Sequence, residues 1–334
     1  MRDRSEKRAP IGSPSRHSSS PRTLLLRAGF NDAARAGKLL GDPALLPFLL
    51  DDTQADDVGE AGDQEGRGSA DRSRRPDGRP AEIRLGPERE ELIDALALTA
   101  DPDMALLSLV RLAEVATAAE SRPAASPDDV EPGCTPTPAA LLRGLLSAPD
   151  AGTREHRRRL LAVLGASQAL GDFLVAHPER ITALAPARAW DAPQEPGAAE
   201  KLRREVQGAL GTAPSDGDEG PQDPGGQNPA LERATAALRR AYRDRLTAIV
   251  ADDLTSSDPI EHVSTVCRRM AELADAALDS ALLIARAAVG PQADEVALAV
   301  IAMGKTGARE LNYISDVDVV YVVGPAQESR QTEE

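Results

Sequence analysis

Apolar residues recur at helical spacing over most of this chain, and the period changes only near its end. In "REELIDALALTADPDMALLSLVRLAEVATAAE" (89–120), Leu92, Ile93, Leu96 and Leu98 are followed by Leu106, Leu107, Val110, Leu112 and Val115. Spacings of three and four place such residues on one helix face. Asp101 before Pro102 has the form of an N-cap and first helical residue, so two helices are predicted here. "TREHRRRLLAVLGASQALGDFLVAHPERI" (153–181) predicts a helix, a turn at Gly165 or Gly171, and a short second helix stopped before Pro178. Residues 230–255 and 258–289 predict two long helices, the second capped by Asp258 with Pro259 at its first position and ended by Gly290-Pro291.

The period then shortens. "EVALAVIAM" (295–303) is a nearly continuous apolar run, as expected of a buried strand, and "VDVVYVV" (317–323) is a β-branched second one. "GKTGARELNYIS" between them predicts a glycine turn and one short helix. Four segments rich in Pro, Gly and acidic residues read as disordered linkers: 51–80, 121–138, 190–200 and 211–229. The organisation expected is a largely disordered tail and linker with short helices over 1–85, a helical region over 86–292 with disordered insertions near 121–138 and 190–229, and a different domain starting at 293.

Composition narrows the function classes. A net charge of −15 and 2% aromatic residues argue against a basic patch or stacking platform for nucleic acid. Cys134 and Cys267 stand far apart, with no CxxC and no histidine at ligand spacing, so neither a disulfide framework nor a zinc site is expected. No apolar run approaches the ~20 residues of a membrane span. A cytoplasmic protein with no membrane and no nucleic-acid partner is the expectation.

The candidate chemistry lies in the last segment. Asp316 and Asp318 are two residues apart at a strand entrance, where alternation puts both carboxylates on one face and Val317 on the other. Adjacent carboxylates repel unless a cation neutralises them, and hard oxygen donors suit Mg²⁺ or Mn²⁺. Val319, Val320, Val322 and Val323 are expected to anchor that strand in the core. Gly304 and Gly307 let backbone amides approach a phosphate, so a phosphate cradle is expected beside a metal pair that would align an in-line displacement.

"GKTGARELNYISDVDVVYV" resembles the signature of the bifunctional glutamine synthetase adenylyltransferase/adenylyl-removing enzymes, which belong to the polymerase-β-type nucleotidyltransferases. Gly304, Lys305, Gly307, Glu310, Leu311, Asn312, Ser315, Asp316 and Asp318 match it, and Ala308 stands where a second glycine is usual. "VLGASQALGDFLVAHPERI" (163–181) and "LRRAYRDRLTAIVADDL" (238–254) resemble the helical segment ahead of that family's first catalytic copy.

The resemblance implies an α+β protein: a mainly helical N-terminal region followed by the first strands of a polymerase-β-like nucleotidyltransferase domain. It implies control of glutamine synthetase by removing AMP from a tyrosine (phosphorolysis to ADP) or attaching it from ATP, in nitrogen assimilation. The "RELNY-x-SD" form resembles the removing copy. The implied site is Asp316 and Asp318 on Mg²⁺ or Mn²⁺, with Gly304, Lys305, Gly307 and Ser315 near ATP, ADP or phosphate. Glutamine synthetase is the implied partner and the PII signal protein a further one. Lys305 reads equally as an exposed charge, and Glu310 and Asn312 as braces of the short helix. The alternatives are a PII uridylyltransferase, or a non-catalytic helical module that binds glutamine synthetase or PII. A third carboxylate from a later strand is expected in this superfamily, and "GPAQESRQTEE" shows no strand pattern. The domain is therefore read as incomplete, and the chain as inactive alone.

Overall fold

The computed structural model describes residues 20–49, 87–120, 136–147, 150–186, 197–211 and 228–326. Among the described residues ten α-helices precede a two-stranded sheet: α1 (Pro21–Arg27), α2 (Ala33–Leu40), α3 (Pro87–Leu96), α4 (Pro102–Glu120), α5 (Pro138–Ser147), α6 (Ala151–Ala166), α7 (Gln168–Ala176), α8 (Ala198–Gly211), α9 (Pro229–Leu254) and α10 (Pro259–Val289). Strands β1 (Val296–Ala302) and β2 (Val319–Pro325) follow, with a single helical turn, Gly304–Gly307, between them. The protein is mainly helical α+β. The linker readings at 51–80, at 121–135 and over most of 190–200 and 211–229 lie outside the described residues.

Local chemistry sets the helix boundaries. Asp101 caps α4, its carboxylate accepting from the Met104 amide at 2.9 Å, and Asp258 caps α10 through the Glu261 amide at 3.1 Å. The break between α6 and α7 falls at neither glycine. Ser167 makes it, ending α6 and capping α7 with its own hydroxyl. Gly165 lies inside α6, and its missing side chain lets α6 pass close to another segment: a Cβ there would sit 2.8 Å from the Thr99 Cβ.

Two apolar clusters form. The larger gathers Leu25, Phe30, Leu40, Leu45 and Phe48 with residues from α3 to α7, so residues 20–49 pack with the helical region. The smaller joins Leu202 of α8, Ile249 of α9, and Val266, Met270 and Leu273 of α10. Helix α9 serves both, contributing Ala251 to the first and Ile249 to the second.

Charges are buried in the same region. Arg159 on α6 is 4% exposed; it donates to the Leu184 carbonyl at 2.7 Å and pairs with Asp252 of α9. The other oxygen of Asp252 takes Arg269 of α10 at 2.9 Å. One carboxylate thus joins three helices. Nothing in the spacing of "REHRRRLL" distinguishes these inward arginines from exposed ones.

Nearby, Asp244 on α9 pairs with Arg180 at 2.8 Å beside a cavity of about 430 Å³ between α8 and α9. Burial pushes its carboxyl up to about 6; Arg180 opposes this, while Glu205 and Glu179 add to it. A carboxyl whose pKa is raised by folding favours the fold fully below its unfolded value near pH 4, and that contribution is lost as pH rises through 6. Urea titrations across pH 4 to 7 are expected to show a decline of up to about 3 kcal/mol from this group, flattened by Asp244→Asn. An unchanged slope in that variant would assign the decline elsewhere.

The strands depart from expectation. They pair antiparallel, Val296 against Pro325 through Ala302 against Val319, but neither is buried. Ile301, Val320, Val322 and Val323 are exposed, the last at 64%, so the valines do not anchor β2 in a core. Among the described residues the sheet has two strands and no helix laid across either face, which leaves an apolar ladder with open edges. Also among these residues, no helix is long and apolar enough to cross a membrane.

Candidate functional site

The turn after β1 is built by two glycines with different tasks. Gly304 has φ +53°, in the left-handed region that side chains disfavour, and a Cβ on it would meet the Asp318 carboxylate at 3.3 Å. Gly307 has no such φ. A Cβ there would come within 2.5 Å of the Ala302 carbonyl oxygen, so it must be glycine for the turn to fold back on β1. Ala308, at φ −77°, is ordinary right-handed backbone, so a second glycine is not needed at that position. The positive φ falls instead on Arg309, at 58°, whose guanidinium reaches Asp275 at 3.4 Å on α10.

The expected short helix is only the turn Gly304–Gly307, and β2 begins at Val319. Asp316 and Asp318 therefore lie in the segment leading into β2, not within it. Both are exposed, and the Asp318 carbonyl accepts the Met303 amide at 2.9 Å, extending the strand pairing to the turn. The backbone thus brings Gly304 and Asp318 side by side.

Lys305 and Ser315 also meet. The Lys305 ammonium donates to the Ser315 hydroxyl at 3.2 Å, and Ser315 lies 2.6 Å from the Asn312 side-chain oxygen. Asn312 accepts the Ile314 amide at 3.2 Å as well, so it organises the loop before Asp316 and does not cap the helical turn. The Glu310 amide donates to the Lys305 carbonyl at 2.8 Å, closing the turn from its far side.

Three residues fasten this loop to the helices. Leu311, 3% exposed, enters the smaller apolar cluster; Arg309 reaches α10; and the Tyr313 hydroxyl donates to Asp253 of α9 at 2.8 Å. Tyr313 is 46% exposed, yet partial desolvation of its hydroxyl, then the bond to Asp253, pushes the phenol above its usual range, so it remains a donor. Sequence reasoning passed over Tyr313 and Asp253. Their separation of 60 positions carries no local signal.

Among the described residues no group of three or more His, Cys, Asp or Glu side chains is arranged to hold a metal. The site offers two exposed carboxylates, one ammonium, one hydroxyl and a stretch of bare backbone at Gly304. Two solvent-exposed carboxylates suit a cation that keeps several waters and shares substrate phosphates, as Mg²⁺ does.

The family model for glutamate-ammonia ligase adenylyltransferase matches residues 157–334. Curated relatives are named bifunctional glutamine synthetase adenylyltransferase/adenylyl-removing enzymes. One from Mycobacterium avium is 40% identical over 235 residues, 70% of this chain and 19% of the relative. One from Bifidobacterium longum subsp. infantis is 37% identical over 236 residues, 71% of this chain and 19% of the relative. One from Streptomyces avermitilis is 38% identical over 235 residues, 70% of this chain and 18% of the relative. The chain thus spans about a fifth of the length of these relatives. No solved structure matches.

Proposed function

The chain belongs to the glutamate-ammonia ligase adenylyltransferase family, and from that premise we propose that residues 304–318 are the nucleotide-handling edge of a nucleotidyltransferase site acting on glutamine synthetase. The observation that carries this reading is the Gly304 turn, whose missing Cβ leaves space against the Asp318 carboxylate. A phosphate can approach the backbone there while remaining next to an acidic pair.

In this reading Asp316 and Asp318 hold Mg²⁺ or Mn²⁺, which when bound neutralises phosphate charge and favours in-line displacement. The chain's own groups position the reactants. Gly304 leaves its end of the turn without a side chain, so that ATP, ADP or inorganic phosphate reaches the amides there, and Gly307 lets the turn fold back on β1. Lys305 supplies a positive charge to phosphate oxygens, held by Ser315 and through it by Asn312. In the removing direction, an oxygen of inorganic phosphate bonds to the AMP phosphorus. The tyrosyl oxygen leaves and takes up a proton, and ADP departs. The "RELNY-x-SD" form favours this direction. Glutamine synthetase is the proposed partner, with the PII signal protein a second. No third carboxylate joins the pair among the described residues, so the chain alone is proposed to bind metal without turning over.

A hybrid tests this, with residues 157–326 replacing the matching stretch of the Mycobacterium avium relative. Phosphate-dependent release of labelled AMP from glutamine synthetase is expected, and Asp316→Asn should abolish it while AMP attachment continues. Loss of attachment with retained removal would assign this segment the opposite direction, and retention of both would refute the site.

A further inference from the structure

The loop that carries Asp316 has little secondary structure of its own. Between the Gly304 turn and β2, its order comes from Asn312, which gathers the Ile314 amide and the Ser315 hydroxyl, and from contacts with the helices. Tyr313 sits between these groups, and its ring leaves in the other direction, toward α9. There its hydroxyl meets Asp253 at 2.8 Å. Asp253 is a rigid partner: the preceding Asp252 is locked by Arg159 and Arg269, and the carbonyl of Thr255, just beyond α9, accepts from Arg158 of α6. The bond therefore ties the loop to a helix whose neighbouring residue, Asp252, is held by two arginines.

We propose that Tyr313 is a positioning residue: by donating to Asp253 it fixes the Asn312–Asp316 peptide, and with it the Lys305–Ser315 contact and the placement of the carboxylate pair. The proposal rests on the reading of Asp316 and Asp318 as metal ligands. Tyr313 itself touches no reacting atom. Leu311 supplies the apolar half of the anchor, and the hydroxyl of Tyr313 supplies its direction, because a hydrogen bond restricts orientation where an apolar contact does not.

Tyr313→Phe removes only the hydroxyl. With Mn²⁺ alone as the probe, followed by the electron-spin signal of the free ion, the full chain carrying this change is expected to bind about fivefold more weakly. Its thermal midpoint should not move, since the ring stays in place. Asp253→Asn retains an acceptor and should bind like the parent, whereas Asp253→Ala should copy Tyr313→Phe. The double variant Tyr313→Phe/Asp253→Ala should be no weaker than either alone. Amide hydrogen exchange at Ile314 and Ser315 gives a metal-free readout and should quicken in Tyr313→Phe and Asp253→Ala only.

Unchanged exchange in Tyr313→Phe overturns the proposal. Faster exchange with parental Mn²⁺ affinity, in a chain where Asp318→Asn does lose the ion, overturns the link to the carboxylates. If Asp318→Asn binds Mn²⁺ as the parent does, the metal reading fails, and the exchange data then decide the anchor alone.

Discussion

Asp252→Ala is expected to lower the stability of the helical body by about 3–5 kcal/mol, the usual cost of removing one partner from a buried ion pair. Both oxygens of Asp252 are engaged, one by Arg159 and one by Arg269. Without it, Arg159 keeps only the Leu184 carbonyl at a site 4% exposed, where water cannot replace the lost acceptor. Among the described residues one Arg159 nitrogen, Nη2, has no hydrogen-bond partner. Asp252→Asn, which keeps an acceptor but no charge, should fall between the two. Glu200→Ala removes the exposed partner of Arg204 and should cost under about 1 kcal/mol. Urea melts followed by helical circular dichroism give all three values. A loss below about 1 kcal/mol for Asp252→Ala would mean that the body does not depend on this junction.

Asp318→Asn is expected to weaken Mn²⁺ binding to this chain more than about 100-fold, or about 2.8 kcal/mol at about 1.4 kcal/mol per decade. The argument is electrostatic. Two carboxylates with one residue between them each offer an anionic oxygen to a divalent cation, and having both nearby adds to the attraction. Neutralising one removes both a ligand and that added attraction. The structure gives Asp318 the stronger claim of the two, since its carboxylate lies against Gly304 and its carbonyl is already fixed by Met303. Asp316→Asn should therefore weaken binding less than Asp318→Asn. Calorimetric titration with Mn²⁺ checks the order, and equal affinity in the parent and both variants would remove the metal pair from the site.

Much of this arrangement was legible before any coordinates. The caps at Asp101 and Asp258, the long helices α9 and α10 and the change of period near residue 293 follow from local rules that the structure obeys. The spacing from Gly304 to Asp318 between two apolar runs places the glycine turn beside the acidic residues, and the strand pairing brings Gly304 against the Asp318 carboxylate. Other features were illegible for physical reasons. An apolar run marks a strand but not what covers it, so β1 and β2 were expected inside and lie exposed. The Ser167 break was hidden by two more conspicuous glycines. The glycine at 307 was assigned to phosphate approach, whereas its tightest constraint is the Ala302 carbonyl behind it. Contacts such as Tyr313 with Asp253 depend on helix packing, which periodicity does not encode.

Helix α9 has a consequence for cooperativity. One continuous helix supplies Ala251 to the larger cluster and Ile249 to the smaller, so loosening either cluster loosens a helix on which the other also packs. The two are expected to unfold as a unit in one transition, which coincident urea melts by helical circular dichroism and by Tyr242 fluorescence would check. Leu311 brings the loop after the glycine turn into that unit. A mutation at Phe30 or Leu45, far along the chain from Gly304, therefore reduces the population of molecules in which the Leu311 anchor is seated. Loss-of-function changes in this protein should scatter across the helical body instead of clustering on the acidic pair.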